Sequence, residues 1–313
     1  MIHYALLAAL ALLPQQPTTL ARVYANGEKN QYEVLSHLQI EQREKGLETW
    51  IPEDIDLNYK FTTQVTALLP DGVAKLHYLR PTVTQVIGET YDEPAKTTVD
   101  KLNLNYELTL SPANEILNQF DAGKKAAKWS GTASSKRQDL GAFLGQFISE
   151  LFRLSVFAGS IENALDFSPK FPLGSVKVGD TWKRTVGYQP QKLKGKGDMA
   201  VQRLDYTYTY KGVVDSDGKK VVRVSAALAI NSDLAAFATQ LAGEDTGLKE
   251  LPLRLNSGID FDLDPKTLKT LSAVATSEGS FKIVLSESPE VPYEEVKMKG
   301  QTNFKLIGSA IVH

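Results

Sequence analysis

Over residues 23–120, apolar and polar side chains alternate with a period of two. β-Branched and aromatic residues fill the apolar places, and Pro52, Pro70-Asp71-Gly72, Pro81 and Pro112 break the pattern. This predicts an antiparallel meander of half-buried strands. Over residues 73–79, Val73, Lys75, His77 and Leu79 share one side and Ala74, Leu76 and Tyr78 the other, so one face stays half-wet. Residues 176–311 repeat the style, with breaks at Gly187, Asp217-Gly218, Pro265 and Gly279.

The two halves echo one another at an offset of roughly 145 to 155 residues, the mark of an internal repeat. Gly27-Glu28-Lys29-Asn30-Gln31-Tyr32 returns as Gly179-Asp180-Thr181-Trp182. Leu57-Asn58-Tyr59-Lys60-Phe61, running to a turn at Asp71-Gly72, returns as Leu204-Asp205-Tyr206-Thr207-Tyr208, running to Asp217-Gly218. Leu108-Thr109-Leu110-Ser111-Pro112 returns as Phe261-Asp262-Leu263-Asp264-Pro265.

Between the halves, a Lys/Ala/Ser/Gly-rich loop over 122–136 leads into a predicted helix over 136–159, opened by the capping box Ser135-Lys136-Arg137-Gln138. Its apolar residues, among them Phe143, Phe147, Leu151, Phe152 and Phe157, cover well over half the circumference, leaving a narrow stripe of Gln146, Ser149, Glu150 and Arg153. Such a helix needs enclosure, and the concave side of a curved sheet supplies it. A second helix is predicted over 234–241, with Ser232 or Asp233 as N-cap and Gly243 as its stop. The matching place in the first half, 84–101, is polar and carries Pro94, so a specialised function is sought there.

The expected fold is therefore α+β and mostly antiparallel β: two related β-units forming a strongly curved sheet or half-barrel around an enclosed apolar helix. The expected divisions are a leader over 1–21, a first β-unit over 22–121, a basic loop and central helix over 122–170, and a second β-unit with a short inserted helix over 171–313. The leader rests on the nine Ala and Leu residues of 5–13, the length of a signal-peptide core and too short to span a bilayer. It predicts an exported, periplasmic or extracellular protein with no transmembrane segment in its mature form.

Composition narrows the function. With 313 residues, 42% hydrophobic and 23% charged, the chain is an ordinary globular sequence. A net charge of -2 gives no field to hold a polyanion, which argues against nucleic acid. The absence of Cys excludes disulfides, a thiolate nucleophile and a lipoprotein anchor.

The candidate chemistry is sparse. Asp260, Asp262 and Asp264 suggest calcium, but Pro265 and Leu271 stand where an EF-hand needs Gly and a carboxylate, so the expectation is a strand with its acids in water. Tyr206, Tyr208 and Tyr210 share one face of a strand, either as its buried side or as the wall of a lipid-accommodating cleft. Gly141 and Gly145 suit close approach of the central helix to a neighbour. The lysines Lys192, Lys194 and Lys196 read as a solvated loop. His37 and His77 show no metal spacing, and no nucleophile elbow, phosphate loop or nucleotide fingerprint is present. No catalytic residue, cofactor or metal ligand is assigned.

Phe171-Pro172 followed by Val176-Lys177-Val178-Gly179-Asp180-Thr181-Trp182 resembles the mid-chain signature of exported β-rich bacterial proteins of unassigned function, and the segment Pro292-Tyr293-Glu294-Glu295-Val296 is similar in style. The expected shape is similar to the periplasmic lipoprotein-carrier and mycobacterial lipid-carrier folds. The leading expectation is non-catalytic binding of an apolar ligand, an acyl chain or lipidated peptide, between the sheet and Phe143, Phe147, Leu151, Phe152 and Phe157, with Tyr206, Tyr208 and Tyr210 on the opposing wall. The competitors are a fully packed structural or interaction module that engages an envelope protein, and a hydrolase with a non-local site.

Overall fold

The structure, a computed structural model, describes residues 16–89, 94–100, 104–121, 168–188, 202–242 and 247–312. The leader core, the predicted helix over 136–159 with its glycine pair, the basic loop before it and Lys192, Lys194 and Lys196 lie outside the described residues. The first half supplies β1 (Thr18–Thr19), β2 (Glu28–Glu44), β3 (Ile51–Leu68), β4 (Ala74–Arg80), β5 (Val83–Ile87), β6 (Lys96–Asp100), β7 (Leu104–Leu110) and β8 (Ile116–Asp121). The second supplies β9 (Ser175–Val176), β10 (Thr181–Tyr188), β11 (Gln202–Ser216), β12 (Lys219–Asp233), helix α1 (Ala235–Ala242), β13 (Leu248–Glu250), β14 (Pro252–Leu263), β15 (Thr270–Leu285) and β16 (Glu294–Ile311).

All but β1 and β9 join one curved, unclosed antiparallel sheet, eleven of them in the order β10-β11-β12-β14-β15-β16-β2-β3-β4-β7-β8, with β13 paired to β15 and β5 and β6 off this path. The mostly-β class read from the alternation is thus the class observed. Two five-strand meanders flank β16, which pairs with β15 on one side and with β2 on the other. Each meander turns between its second and third strand at an Asp-Gly pair with both residues at positive φ: 62° and 73° at Asp71-Gly72, 49° and 74° at Asp217-Gly218. That turn twists in the sense of the strands it joins, which is why Asp-Gly is favoured there. The units differ in the insertion after the third strand. In the first, the polar stretch forms the β5–β6 hairpin, which branches from β3. In the second, α1 and β13 occupy that place.

The α1 helix starts one residue later than the sequence predicts: Leu234 is the flanking residue, its carbonyl accepting the first helical bond from the Ala238 N–H and its own N–H donating to Leu251 O, each at 2.8 Å. Asp233 caps it: Oδ1 accepts from the Ala235 and Leu251 N–H groups, each at 2.9 Å.

Alternate residues of every long strand face one interior. Along β2 these are Asn30, Tyr32, Val34, Ser36, Leu38 and Ile40, all buried, while Gln31, Leu35, His37 and Gln39 are exposed. One apolar cluster runs from Tyr106 and Tyr78 through Phe61, Tyr32 and Phe304 to Phe261, Val224 and Tyr208. A second lies under α1, where Ala235 and Ala238 pack on Leu38, Ile40, Leu253 and Phe281.

The curl brings the two ends of the strand path together. Arg184 on β10 lies 3.3 Å from Glu115, in the turn before β8. Residues 169–171 are wedged between them. The Phe171 N–H donates to Ala113 O at 3.0 Å, Trp182 Nε1 donates to Lys170 O at 2.7 Å, and Lys170 Nζ donates to Asn114 O at 2.7 Å.

Candidate ligand-binding face

The interior wall is built from residues that period-two alternation turns inward on neighbouring strands. Register sets Tyr106 on β7 opposite Tyr78 on β4, Phe61 on β3 opposite Tyr32 on β2, and Val34 opposite Phe304 on β16. The rings form a continuous ladder: centroids lie 6.2 Å apart for Tyr106–Tyr78, 5.1 Å for Tyr78–Phe61, 5.1 Å for Phe61–Tyr32 and 4.6 Å for Tyr32–Phe304. Offset aromatic contacts of this kind add to plain area burial. On the far side of the curl, Trp182 stacks on Tyr208 at 5.7 Å, and Tyr208 lies 6.0 Å from Tyr206. Between the aromatic walls the floor is small: Ala226, Ala273 and Ala275 are all buried.

The structure places Tyr206, Tyr208 and Tyr210 together on this interior, each under 7% exposed. Phe143, Phe147, Leu151, Phe152 and Phe157 lie outside the described residues. The aromatic ladder across β7, β4, β3, β2 and β16 was absent from the sequence-predicted site. Its signal was available in the alternation Tyr59-Lys60-Phe61, but only the strand order brings those rings beside Tyr32 and Phe304.

Polar groups interrupt the wall. Thr302 Oγ1 donates to Ser36 Oγ at 2.8 Å. Ser277 Oγ on β15 and, elsewhere in the interior, Tyr78 Oη on β4 are buried with no hydrogen-bond partner. Burial pushes the Tyr78 hydroxyl well above the usual phenol range, against a smaller opposing effect of Arg80, so it stays a neutral donor. Tyr32 and Tyr59 are raised by the same desolvation. A buried hydroxyl without a partner costs about 1–3 kcal/mol, so two of them in one interior call for an account.

The acid row departs from expectation at one position. Asp260 is exposed and accepts from Ser225 Oγ, but Asp262 is buried, contrary to the expectation of acids in water. Arg223 grips it twice, Nε to Oδ1 at 2.7 Å and Nη2 to Oδ2 at 2.9 Å, and Ser216 Oγ donates to Oδ2 at 2.7 Å. Burial alone would raise the Asp262 pKa, and these donors hold it below the usual range. Asp264 instead accepts the Lys266 and Thr267 N–H groups and shapes the turn into β15.

His37 contacts Asp56 at 2.8 Å on the exposed side, and His77 contacts Asn105 at 2.6 Å, so the two imidazoles sit on different strands with different partners. Among the described residues no three His, Asp or Glu side chains gather as a metal set, and no helix is long and apolar enough to cross a membrane.

No family model matches the chain, and no curated protein matches it. Among solved structures, it is similar to a lipovitellin chain studied for lipid–protein interactions, at 11% identity and a TM-score of 0.44, over 93% of this chain and 26% of that one. It thus spans about a quarter of that lipovitellin chain. A DUF1329 family protein from Desulfovibrio piger matches at 8% identity and a TM-score of 0.15, over 88% of this chain and 85% of that one. A candidate outer membrane lipoprotein-sorting protein domain from Vibrio parahaemolyticus matches at 7% identity and a TM-score of 0.14, over 90% and 85%. All three scores lie below 0.5, a level at which likeness carries no activity from one protein to another.

Proposed function

We propose that this protein is an exported, non-catalytic binder of an apolar ligand, an acyl chain or lipidated peptide, held against the inner face of the curved sheet. One observation carries the reading: the interior is lined by a continuous aromatic ladder, and two hydroxyls buried at separate places in it, Tyr78 Oη on β4 and Ser277 Oγ on β15, have no partner. The wall supplies apolar area at roughly 25 cal/mol per Å² removed from water, and each hydroxyl would donate to a different polar oxygen of the ligand. Tyr206, Tyr208 and Tyr210 form the opposite wall, with Phe143, Phe147, Leu151, Phe152 and Phe157 as the proposed apolar partners of the ligand. The same reading takes the two five-strand meanders as copies of one duplicated unit, supported by their common strand order and paired Asp-Gly turns.

A second reading, a fully packed structural module engaging an envelope protein, is favoured by the depth of burial: Val34, Tyr78 and Val224 are 0% exposed. The two readings separate on one pair of variants, Tyr78→Phe and Ser277→Ala. Removing an unpartnered buried hydroxyl leaves stability unchanged or higher. A binder purified from an exporting host should show stoichiometric lipid adducts by native mass spectrometry that disappear on organic extraction. Palmitate or phosphatidylglycerol added back should then bind about tenfold more weakly to each variant. An adduct-free mass with no uptake of either lipid would eliminate the binder and leave the packed module.

A further inference from the structure

The face of the sheet turned away from this interior carries a groove of about 790 Å³ that runs across six strands, β11, β12, β14, β15, β16 and β2. One bank is the register row Thr207, Ala227, Gly258, Thr276, Gln301 and His37. The other bank, two residues along each strand, includes Asp205, Asn256, Glu278 and Lys299. Between the banks lie Leu228, Ser257, Ser277 and Gly300, whose side chains belong to the inward set, so backbone forms the floor. At a strand spacing of about 4.8 Å, six strands give a groove on the order of 24 Å long.

Its depth comes from residues that strands ordinarily avoid on a solvent face. Ala227 and Ala229 are exposed in mid-strand beside Gly258, where β-branched side chains would strengthen the sheet. Packing explains two nearby glycines: a Cβ at Gly279 would lie 2.7 Å from Arg254 O, and one at Gly300 would lie 2.8 Å from Ser277 Oγ. It does not explain Gly258. A Cβ there meets only Thr276 Oγ1, at an ordinary 3.8 Å, and its φ is not in the left-handed region. The fold tolerates a side chain at 258, and what the bare position preserves is open access over that bank to the floor.

We infer that this groove binds a neutral, hydroxyl-rich chain, an oligosaccharide, laid across the strands. The banks pair amides, Asn256 and Gln301, with charges of both signs, Asp205 and Glu278 against Lys299. Amides donate and accept at once, which suits a ligand whose hydroxyls do the same. The near-balanced charge gives no hold on a polyanion. Leu228 is buried with its side chain in the inward set and no aromatic residue is among the lining, so the groove offers no exposed anchor of the kind that centres a protein interface. Where the banks are lowered by Ala227, Ala229 and Gly258, the backbone floor gives the C–H faces of sugar rings a close seat.

The test is Gly258→Val, with maltohexaose and chitohexaose as probes in titration calorimetry on the full protein. The variant should keep or raise the unfolding midpoint, since a β-branched residue replaces Gly in a strand. The hexasaccharide that the native protein binds should bind at least tenfold more weakly, and Gln301→Ala should weaken it in the same direction. Three results would overturn the assignment: neither probe binding at millimolar concentration, equal affinity in Gly258→Val, or self-association of the native protein that the variant abolishes. The groove lies on the opposite face from the apolar interior, so either assignment can fail while the other stands.

Discussion

At the scale of single residues, the strongest electrostatic feature is one that no spacing announces. Arg22 donates to Glu28 Oε1 at 2.5 Å with both side chains under 10% exposed, and Asn30 Nδ2 adds a bond at 2.8 Å to the same oxygen. Lys269 approaches that carboxylate at 3.6 Å. Burial alone would raise the Glu28 pKa, but Arg22, Asn30 and Lys269 overcome it and leave it below the usual carboxylate range. A carboxylate held low contributes stability above its unfolded pKa and loses it as pH falls through the folded value. Glu28→Gln leaves Arg22 buried without its counter-charge and should cost roughly 3 to 5 kcal/mol at neutral pH. In urea titrations the gap between variant and native protein should close as the pH drops through the depressed Glu28 pKa. A gap that is constant with pH would show that the carboxylate charge is not the cause. The residue scale is also where sequence reading was weakest: Asp262 looks like its neighbour Asp260 along the chain. Only the register that sets Arg223 opposite it marks it as buried.

At the scale of elements, far more was legible, because alternation is a local property. The long strands β2, β3, β15 and β16 keep a period-two pattern over most of their length, and the inward set on β4 is the one the alternation gives: Ala74, Leu76 and Tyr78. The Asp-Gly turns were readable because few other pairs tolerate two consecutive positive φ values. The hairpin of β5 and β6 was harder, since the apolar residues of β5, Val83, Val86 and Ile87, do not keep to alternate positions and β6 is exposed throughout its described positions. Helix α1 was placed to within a residue through its cap. Asp233 serves two amides, one at the helix start and one at Leu251, so its side chain also ties α1 to the entry of β14. Asp233→Ala should therefore cost at least the roughly 0.5 to 2 kcal/mol of an ordinary cap. Hydrogen exchange should speed up at both Ala235 and Leu251; acceleration at Ala235 alone would show that the second bond carries no load.

At the scale of the whole molecule, strand order was illegible, because it depends on pairings between residues hundreds of positions apart. Nothing local says that β16 pairs with β2, or that Phe171 plugs the space between the two ends of the strand path. The segment Phe171-Pro172 was visible as a signature without a structural reason. The structure supplies one: Phe171 is 0% exposed, its N–H is bonded to Ala113 and its carbonyl accepts from Arg184. Phe171→Ala should cost roughly 3 to 5 kcal/mol by chemical denaturation, as large-to-small changes at buried aromatic sites do. The loss should appear in a single transition if the meanders melt together, and in a split one if the junction is all that couples them.

The position of β16 at the centre of the sheet sets an order in time. Synthesis runs from β2 to β16, so the strand that joins the two meanders is made after every other described strand of the sheet. Until then β2 presents its full 17-residue edge to its surroundings, with unpaired amides and carbonyls and apolar side chains on one face. Long open edges of this kind recruit other chains. The newborn protein thus passes through a period in which its future middle is its most adhesive margin, and a chaperone that shields β2 would act before β16 exists.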